Sequence, residues 1–285
     1  MKLKAYYSVL KPERTYANVM TTGAGFLLAS RWHIDWALAF YTIIGTTLVV
    51  MSACAANNAT DRNLDARMPR TRKRALVLHT IPVSKVIFTS VVFGIVGFAI
   101  LAVHVNWLVV LLGAIGYIDY VVLYAWSKRH TPHSTLIGTI SGAAPVVAGY
   151  VAVTDHFDTT AVLLALILIT WQMAHFYAIA IYRHEDYRAG GLPIWVVVKG
   201  DANARNWIIG YVALFLICSS SLTAAGTTGN IYLVCMTAIG AYWLYEALRG
   251  LRTPNLTLWG RKMLFTSLYI LLATSVLIAV GSVLA

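Results

Sequence analysis

Nine stretches of about 20 mainly apolar residues constrain this chain more than any other feature of its sequence. A segment of that length, wound as an α-helix, crosses the ~30 Å hydrocarbon core of a bilayer, and its backbone groups satisfy one another there. The sequence therefore predicts an all-α integral membrane protein with nine transmembrane helices. The stretches are 15–30, 36–57, 85–104, 107–127, 135–153, 160–182, 207–227, 230–248 and 264–284.

Composition supports lipid as the solvent of the chain. Of its 285 residues, 59% are hydrophobic and 12% are charged, and the mean hydropathy is +0.70. A soluble domain carries about 25% charged residues. No linker or low-complexity stretch interrupts the sequence, so we expect residues 1–285 to form one domain.

The positions of the basic residues predict the orientation. If the N-terminus is cytoplasmic, 21 of the 22 Lys and Arg residues fall in inner segments and only Arg31 falls outside. Cytoplasmic loops attract Lys and Arg, so we expect an inner N-terminus and an outer C-terminus. The net charge of +11 then reflects topology and an anionic inner leaflet, not a nucleic-acid partner.

Two further features bear on the compartment. Cys54, Cys218 and Cys235 lie within the spans without CxxC spacing, so neither a disulfide framework nor a zinc site is expected. The N-terminal segment has neither a signal-peptide pattern nor a long Arg- and Ser-rich presequence. These features favour a multi-pass protein of a bacterial or archaeal plasma membrane.

Two inner connections are much longer than the others, at residues 58–84 and 183–206, and both carry acids as well as bases. Loops of 20 or more residues without an apolar core of their own are usually functional. We therefore expect the active site on the cytoplasmic side.

An acidic face ends the second span. Asn57, Asp61 and Asp65 recur every four residues, and Asn58 adds a neighbour, so a helix would present them together. Two stacked carboxylates repel unless a cation lies between them, and Mg²⁺ prefers such oxygen ligands. The alternative is that the carboxylates pair with an adjacent arginine, namely Arg62, Arg70 or Arg74.

The basic run from Arg67 to Arg74 follows these acids. Several guanidinium groups beside a metal-binding acid pair suit a diphosphate leaving group, because both stabilise the charge that develops on it. The alternative is that this run obeys only the positive-inside tendency.

The wording NNxxDRxxDxxMxRTxxR resembles the first aspartate motif of the UbiA superfamily of intramembrane prenyltransferases, and most of all its haem-farnesylating branch. The resemblance implies that Asn57, Asn58, Asp61 and Asp65 bind Mg²⁺ and diphosphate, with Arg70 and Arg74 close by. It extends over almost the whole chain and implies a single domain of this type. It further implies farnesyl diphosphate as the donor, a vinyl group of haem b as the acceptor and an association with haem-copper oxidase assembly.

A second constellation follows the sixth span. Relatives that prenylate quinone precursors usually carry a second DxxxD motif there, whereas this chain has Tyr182 in place of the first aspartate and keeps Asp186. The wording from WQMxHF to VVKG resembles the haem-farnesylating branch, although Ala174 departs from its usual proline. The resemblance implies Asp186 as a third metal ligand and Arg183 as a diphosphate ligand. A quinone precursor remains the alternative acceptor.

His175 lies two turns before the end of that span. A lone histidine in a span usually packs with a hydrogen bond, but this one occupies the family's histidine position. We hypothesise that it positions the porphyrin, by ligating iron or by accepting a proton.

The end of the fourth span supplies further candidates. Tyr124 and Lys128 are four residues apart and can face one pocket, where the ring would stabilise an allylic cation and Lys128, with Arg129, would hold diphosphate. The alternative is an interfacial aromatic with a snorkelling lysine. Asp119, deeper in the span, is expected either to face the reaction cavity or to bond to a tyrosine on a neighbouring helix.

A transporter is the alternative from another class of protein. A transporter with phosphate-binding basic loops would show internal repeats and helices broken near the midplane. The sequence shows no such repeat, and its candidate groups gather at one face of the membrane. This pattern favours the enzyme.

Overall fold

The computed structural model describes residues 2–283, with side chains from residue 5 onward. Lys2 and Lys4 of the charge partition and residue 284 of the last predicted span lie outside the described side chains. Within the described range every regular element is helical, which confirms the all-α prediction.

Fourteen α-helices follow one another, and a π-helical segment, Asp119–Leu123, joins the fifth to the sixth. The helices are α1 Lys2–Val9, α2 Pro12–Ser30, α3 Trp36–Asp65, α4 Val83–His104, α5 Trp107–Ile118, α6 Tyr124–His130, α7 Ser134–Ile137, α8 Thr139–Thr154, α9 Thr159–Tyr182, α10 His184–Ala189, α11 Trp195–Lys199, α12 Asp201–Ala224, α13 Asn230–Arg249 and α14 Leu256–Gly281.

Eight helical stretches in the described part of the chain are long and apolar enough to cross a membrane, and they match eight of the nine predicted spans. The first predicted span corresponds to α2, whose 19 residues include Glu13 and Arg14 and are less apolar. The count of nine and the orientation therefore remain predictions. Two boundaries were placed too late, because α12 begins at Asp201 and α14 at Leu256.

The long helices form a closed bundle. Each packs against the next along the chain, α14 returns to contact α2, and α2 crosses to α8. The α2–α8 contact is backbone against backbone: a Cβ atom on Gly149 would lie 1.9 Å from the carbonyl oxygen of Thr22. Small residues at such crossings let membrane helices approach closely.

Polar side chains fix where several spanning helices begin. Asp35 accepts hydrogen bonds from the amides of Ala37 and Leu38, and Asn106, Asp158 and Asn255 cap α5, α9 and α14 in the same way. Such caps satisfy amides that have no partner within the helix and contribute about 1 kcal/mol each.

The helix α3 positions the predicted acidic face. Its 30 residues span about 45 Å, well beyond the ~30 Å hydrocarbon core. The apolar pattern predicted a span that ends at residue 57 and a loop from residue 58, but the helix continues through Asp65. Its last two turns therefore project Asp61 and Asp65 from the end of the bundle on a rigid element.

Asp119 opens the π-helical segment and is buried. Its Oδ2 atom accepts a hydrogen bond of 3.0 Å from the amide of Ser141, in the first turn of α8. Both predicted alternatives are wrong, since Asp119 bonds to backbone instead of a tyrosine and does not line the main cavity. The carboxylate caps α8, which begins inside the bundle after the break at Gly138.

Candidate active site

The predicted acidic face exists. Asn57, Asn58, Asp61 and Asp65 lie on α3 and are each at most 8% exposed. Amides and carboxylates that are buried so close together require hydrogen-bonding or ionic partners, because an unpaired charge in a low-dielectric environment is strongly unfavourable.

Both carboxylates of α3 have cationic partners. Asp65 Oδ2 lies 2.7 Å from Nη1 of Arg74, as one alternative reading of the sequence predicted. Asp61 pairs with Lys128 Nζ and lies 3.3 Å from Nη2 of Arg129, both on α6. The predicted neighbour pairing is thus right for Asp65 and wrong for Asp61, whose partners are remote in sequence.

The N-terminal segment completes this end of the site, although no sequence motif singled it out. Lys11 Nζ donates to Oδ1 of Asn57 at 2.8 Å and approaches the hydroxyl of Tyr120 at 3.4 Å. Arg14 donates to the same hydroxyl. The sequence did contain one indication of this role, because these two cations precede the first span in a chain that is otherwise poor in charge.

Burial of the ammonium group, followed by the charge of Arg14, lowers the pKa of Lys11 to about 7. The amine therefore loses its proton near neutral pH and gains it back when an anion approaches, since an opposite charge favours the charged form. Lys11 is suited to respond to an anionic ligand.

An aromatic wall adjoins the acids. Lys128 Nζ lies 5.1 Å from the ring centroid of Tyr124, as their spacing predicts. The rings of Tyr120 and Tyr124 stack with centroids 5.9 Å apart across the π-helical segment. Ring faces attract cations within about 6 Å, so this wall is suited to a positively charged group.

The second constellation meets the first. Asp186 on α10 lies 3.9 Å from both Arg70 and Arg183, and Gly190 packs against Met68 of the first loop. The structure thus brings the two predicted loops into contact. The described residues contain no group of three His, Cys, Asp or Glu side chains that could hold a metal ion, so Asp61, Asp65 and Asp186 as joint ligands stay a prediction.

The side chains of the site are nevertheless chemically suited to bind a diphosphate with its Mg²⁺ ion. Seven cationic side chains gather around three carboxylates: Lys11, Arg14, Arg70, Arg74, Lys128, Arg129 and Arg183. The amide Nδ2 of Asn57 is buried without a hydrogen-bond partner, which leaves a donor for an anion. Hard oxygen ligands and excess positive charge are what Mg²⁺ bound to a polyphosphate requires.

An apolar cavity of about 410 Å³ opens beside Arg14 and Tyr120 and runs between α2, α3, α5, α8, α9 and α14. Such a volume is typical of small-molecule sites, which range over about 300–1,000 Å³. Its deep end reaches Leu101 and Val109, both at most 1% exposed. The cavity can hold a long apolar chain whose charged end remains at the acidic face.

His175 lines this cavity and stacks on Trp171, with centroids 4.7 Å apart. Its Nδ1 atom lies 2.6 Å from Oγ of Ser267, while that hydroxyl donates to the carbonyl of Leu264 at 2.6 Å. Because serine has a single hydroxyl proton, Nδ1 of His175 must be the donor. The Nε2 atom therefore keeps its lone pair and can ligate a metal or accept a proton.

Helices of membrane-spanning length, an apolar cavity among them and a polyanion site at its mouth define a membrane-embedded enzyme. The model of the UbiA prenyltransferase family matches residues 18–269. The chain belongs to the UbiA prenyltransferase family, which confirms the resemblance found in its motifs.

Curated relatives indicate which branch of the family the chain resembles. The chain is 42% identical to the protoheme IX farnesyltransferase of Serratia proteamaculans over 98% of its own length and 94% of that protein. It is also 42% identical to protoheme IX farnesyltransferase 1 of Shewanella frigidimarina, over 98% and 92%.

Solved structures share the fold. A structure of digeranylgeranylglyceryl phosphate synthase superposes with a TM-score of 0.81 at 18% identity, covering 99% of both chains. A UbiA homologue from Archaeoglobus fulgidus, bound to GPP and Mg²⁺, gives a TM-score of 0.73 at 14% identity, covering 96% of this chain and 99% of that one. At these identities the likeness concerns the fold.

Proposed function

We propose that the chain transfers a farnesyl group from farnesyl diphosphate to a vinyl group of haem b and so makes haem O. The carrying observation is the buried Asn57, Asp61 and Asp65 face, which lies among seven cationic groups. One of these groups, Arg14, lines the apolar cavity together with Tyr120. The names of the curated relatives support this donor and this acceptor. We propose further that residues 1–285 act as one domain.

The basic groups around the acidic face would bind the diphosphate. Arg70, Arg74 and Arg183 approach from the two loops, and Lys128 and Arg129 approach from α6. In this structure their charges pair with carboxylates, and an arriving diphosphate would share them. Guanidinium groups suit this role because they bind phosphate oxygens bidentately.

Asp61, Asp65 and Asp186 would hold Mg²⁺. When bound, the metal would neutralise charge on the leaving diphosphate. A homologue of the same fold that is bound to GPP and Mg²⁺ supports the use of this metal, and the motif resemblance supports these three residues. Their burial at one end of α3 keeps the carboxylates of Asp61 and Asp65 dry, which strengthens their attraction for a cation.

The reaction passes through two separated charges at the mouth of the cavity, a positive charge on the allylic carbon and a negative charge on the leaving diphosphate. The C1–O bond of farnesyl diphosphate breaks and its electron pair leaves with the diphosphate, while the faces of Tyr120 and Tyr124 stabilise the allylic cation. The cavity keeps bulk water from this carbon until the acceptor attacks.

The acceptor step makes a carbon–carbon bond. The vinyl π electrons of haem b attack C1, and water adds to the carbon left positive and loses a proton, which gives a hydroxyethylfarnesyl group. The Nε2 atom of His175 would position the porphyrin, by ligating its iron or by accepting this proton, and the stacked Trp171 would hold the imidazole in place.

This end of the bundle also carries most of the basic residues, so we propose that the site faces the cytoplasm of a bacterial or archaeal cell. The product would serve the assembly of haem-copper oxidases.

Reconstitution of the purified chain with haem b, farnesyl diphosphate and Mg²⁺ tests the proposal. We expect chromatography to resolve a new, more hydrophobic haem that EDTA abolishes and excess Mg²⁺ restores. Unchanged haem b, with folded protein and intact substrates, would overturn the assigned acceptor.

A further inference from the structure

A second cavity, of about 780 Å³ and lined in part by basic side chains, lies where α13 ends and α14 begins. It shares no lining residue with the main cavity. Its charged side chains are Glu246, Arg249, Arg252 and Lys262, and we call it the α13–α14 groove.

A buried carboxylate organises the α13–α14 groove. Glu246 is 4% exposed, and its carboxylate lies 2.6 Å from Nζ of Lys262 and 3.2 Å from Nη1 of Arg249. The indole of Trp259 donates to the backbone carbonyl of Glu246 at 3.1 Å and joins the two helices. The two cations are thus held in place while about half of each side chain remains exposed.

The groove has an excess of positive charge. One carboxylate neutralises one of its three cations, and Arg252 has no acidic partner among the described residues. Two cations held by Glu246 and the exposed Arg252 beside them, with a net charge of two, can bind phosphate oxygens.

Apolar side chains border these charges. Tyr245, Leu248, Leu251 and Leu258 line the same groove and are 43–62% exposed. A free phosphate has no apolar part that could contact these side chains, whereas a phospholipid places acyl chains directly beside its phosphate.

We propose that the α13–α14 groove binds the headgroup of an anionic phospholipid, with its phosphate on Arg249, Arg252 and Lys262 and its acyl chains on the leucine rim. Because successive spanning helices run in alternating directions through the bundle, the groove lies at the same end as Asp61 and Asp65. Basic pockets between membrane helices are sites for anionic lipid headgroups. The proposal is independent of the reaction that the chain catalyses.

The variant Arg252→Gln tests it, because it removes a cation that no carboxylate needs and leaves the Glu246 pairs intact. Lys85→Gln is the matched control, since Lys85 is an exposed cation at the same end of the bundle. The full chain in detergent is titrated with phosphatidylglycerol or phosphatidylcholine, and retained lipid is counted by native mass spectrometry.

We expect one retained phosphatidylglycerol that binds about fivefold more weakly to Arg252→Gln and unchanged to Lys85→Gln. Phosphatidylcholine should bind weakly to all three proteins. Equal binding of the two lipids, or equal loss in both variants, would overturn the proposal.

A second variant and a competitor complete the test. Glu246→Gln with Lys262→Gln removes one charge pair and leaves Arg249, whose side chain is 55% exposed, to solvent. Added to Arg252→Gln, this pair of changes should abolish retention of phosphatidylglycerol. Inorganic phosphate at constant ionic strength should leave retention unchanged. Displacement by phosphate at millimolar concentration would assign the groove to a soluble phosphate compound and contradict the lipid assignment.

Discussion

Replacing Asp61 by Asn should harm folding and activity through different partners, and the structure allows the two effects to be separated. Asp61 holds Lys128, whose side chain is 5% exposed, and Arg129, which is 36% exposed. The neutral amide that replaces the carboxylate cannot balance the charge of either cation. Arg129 can turn to water, but Lys128 cannot.

The expected loss of stability follows from this burial. Removing one partner of a buried ion pair costs about 3–5 kcal/mol, and the ring of Tyr124, which lies 5.1 Å from Lys128 Nζ, offsets about 1 kcal/mol of that cost. We therefore expect a destabilisation of about 3 kcal/mol and a Tm lower by roughly 6–12 °C. The second change Lys128→Met should recover most of this stability, because it removes the stranded charge.

Thermal denaturation in detergent and the haem assay give the two readouts. Asp61→Asn with Lys128→Met should denature near the wild-type temperature and still make less than about 1% of the product, since each carboxylate and ammonium of the site acts on the leaving group. Full activity in the double variant would refute the role of Asp61. A Tm for Asp61→Asn equal to that of the wild type would refute the ion-pair reasoning.

Three further outcomes follow from single contacts. His175→Ala should abolish haem prenylation, whereas Ser267→Ala should reduce it about tenfold by releasing the imidazole, a loss of about 1.4 kcal/mol in transition-state stabilisation, both measured as rates at saturating haem; equal rates for all three proteins would contradict the orientation assigned to His175. Asp119→Asn should keep activity and Tm because its amide oxygen still caps α8, while Asp119→Leu should lower Tm by a few degrees; identical behaviour of the two variants would contradict the cap. Gly149→Val should prevent accumulation of folded protein, because even a Cβ atom would lie 1.9 Å from a backbone oxygen of α2. A wild-type yield of folded Gly149→Val protein in size-exclusion chromatography would contradict this close approach.

Local patterns in the sequence predict the parts of this protein that depend on local physics. The apolar spans follow from bilayer thickness, and the shared face of Asn57, Asp61 and Asp65 follows from the helical period, so the structure agrees with both. The contact of the two acidic loops agrees with their assignment to the same side of the membrane.

Pairings across the bundle were not predictable in this way. Lys128 lies 67 residues from Asp61, and Lys11 lies 46 residues from Asn57, so nothing local links them. Asp119 resisted interpretation because its partner is a backbone amide freed by a helix break, which side-chain chemistry does not reveal.

The length of α3 was misjudged for a related reason. Hydropathy marks where a helix leaves the lipid, whereas hydrogen bonding decides where it ends. The helix continues for two turns beyond the apolar stretch, and the ion pairs of Asp61 and Asp65 join those turns to the first loop and to α6.

A competition between acceptors tests the assigned reaction most directly. Radiolabelled farnesyl diphosphate and Mg²⁺ are supplied to the reconstituted chain together with equal amounts of haem b and a hydroxylated aromatic acid of the quinone-precursor type. We predict that the label enters the haem fraction alone and that EDTA prevents it. Label in the aromatic product with none in haem would contradict the assigned acceptor and leave only the family scaffold standing.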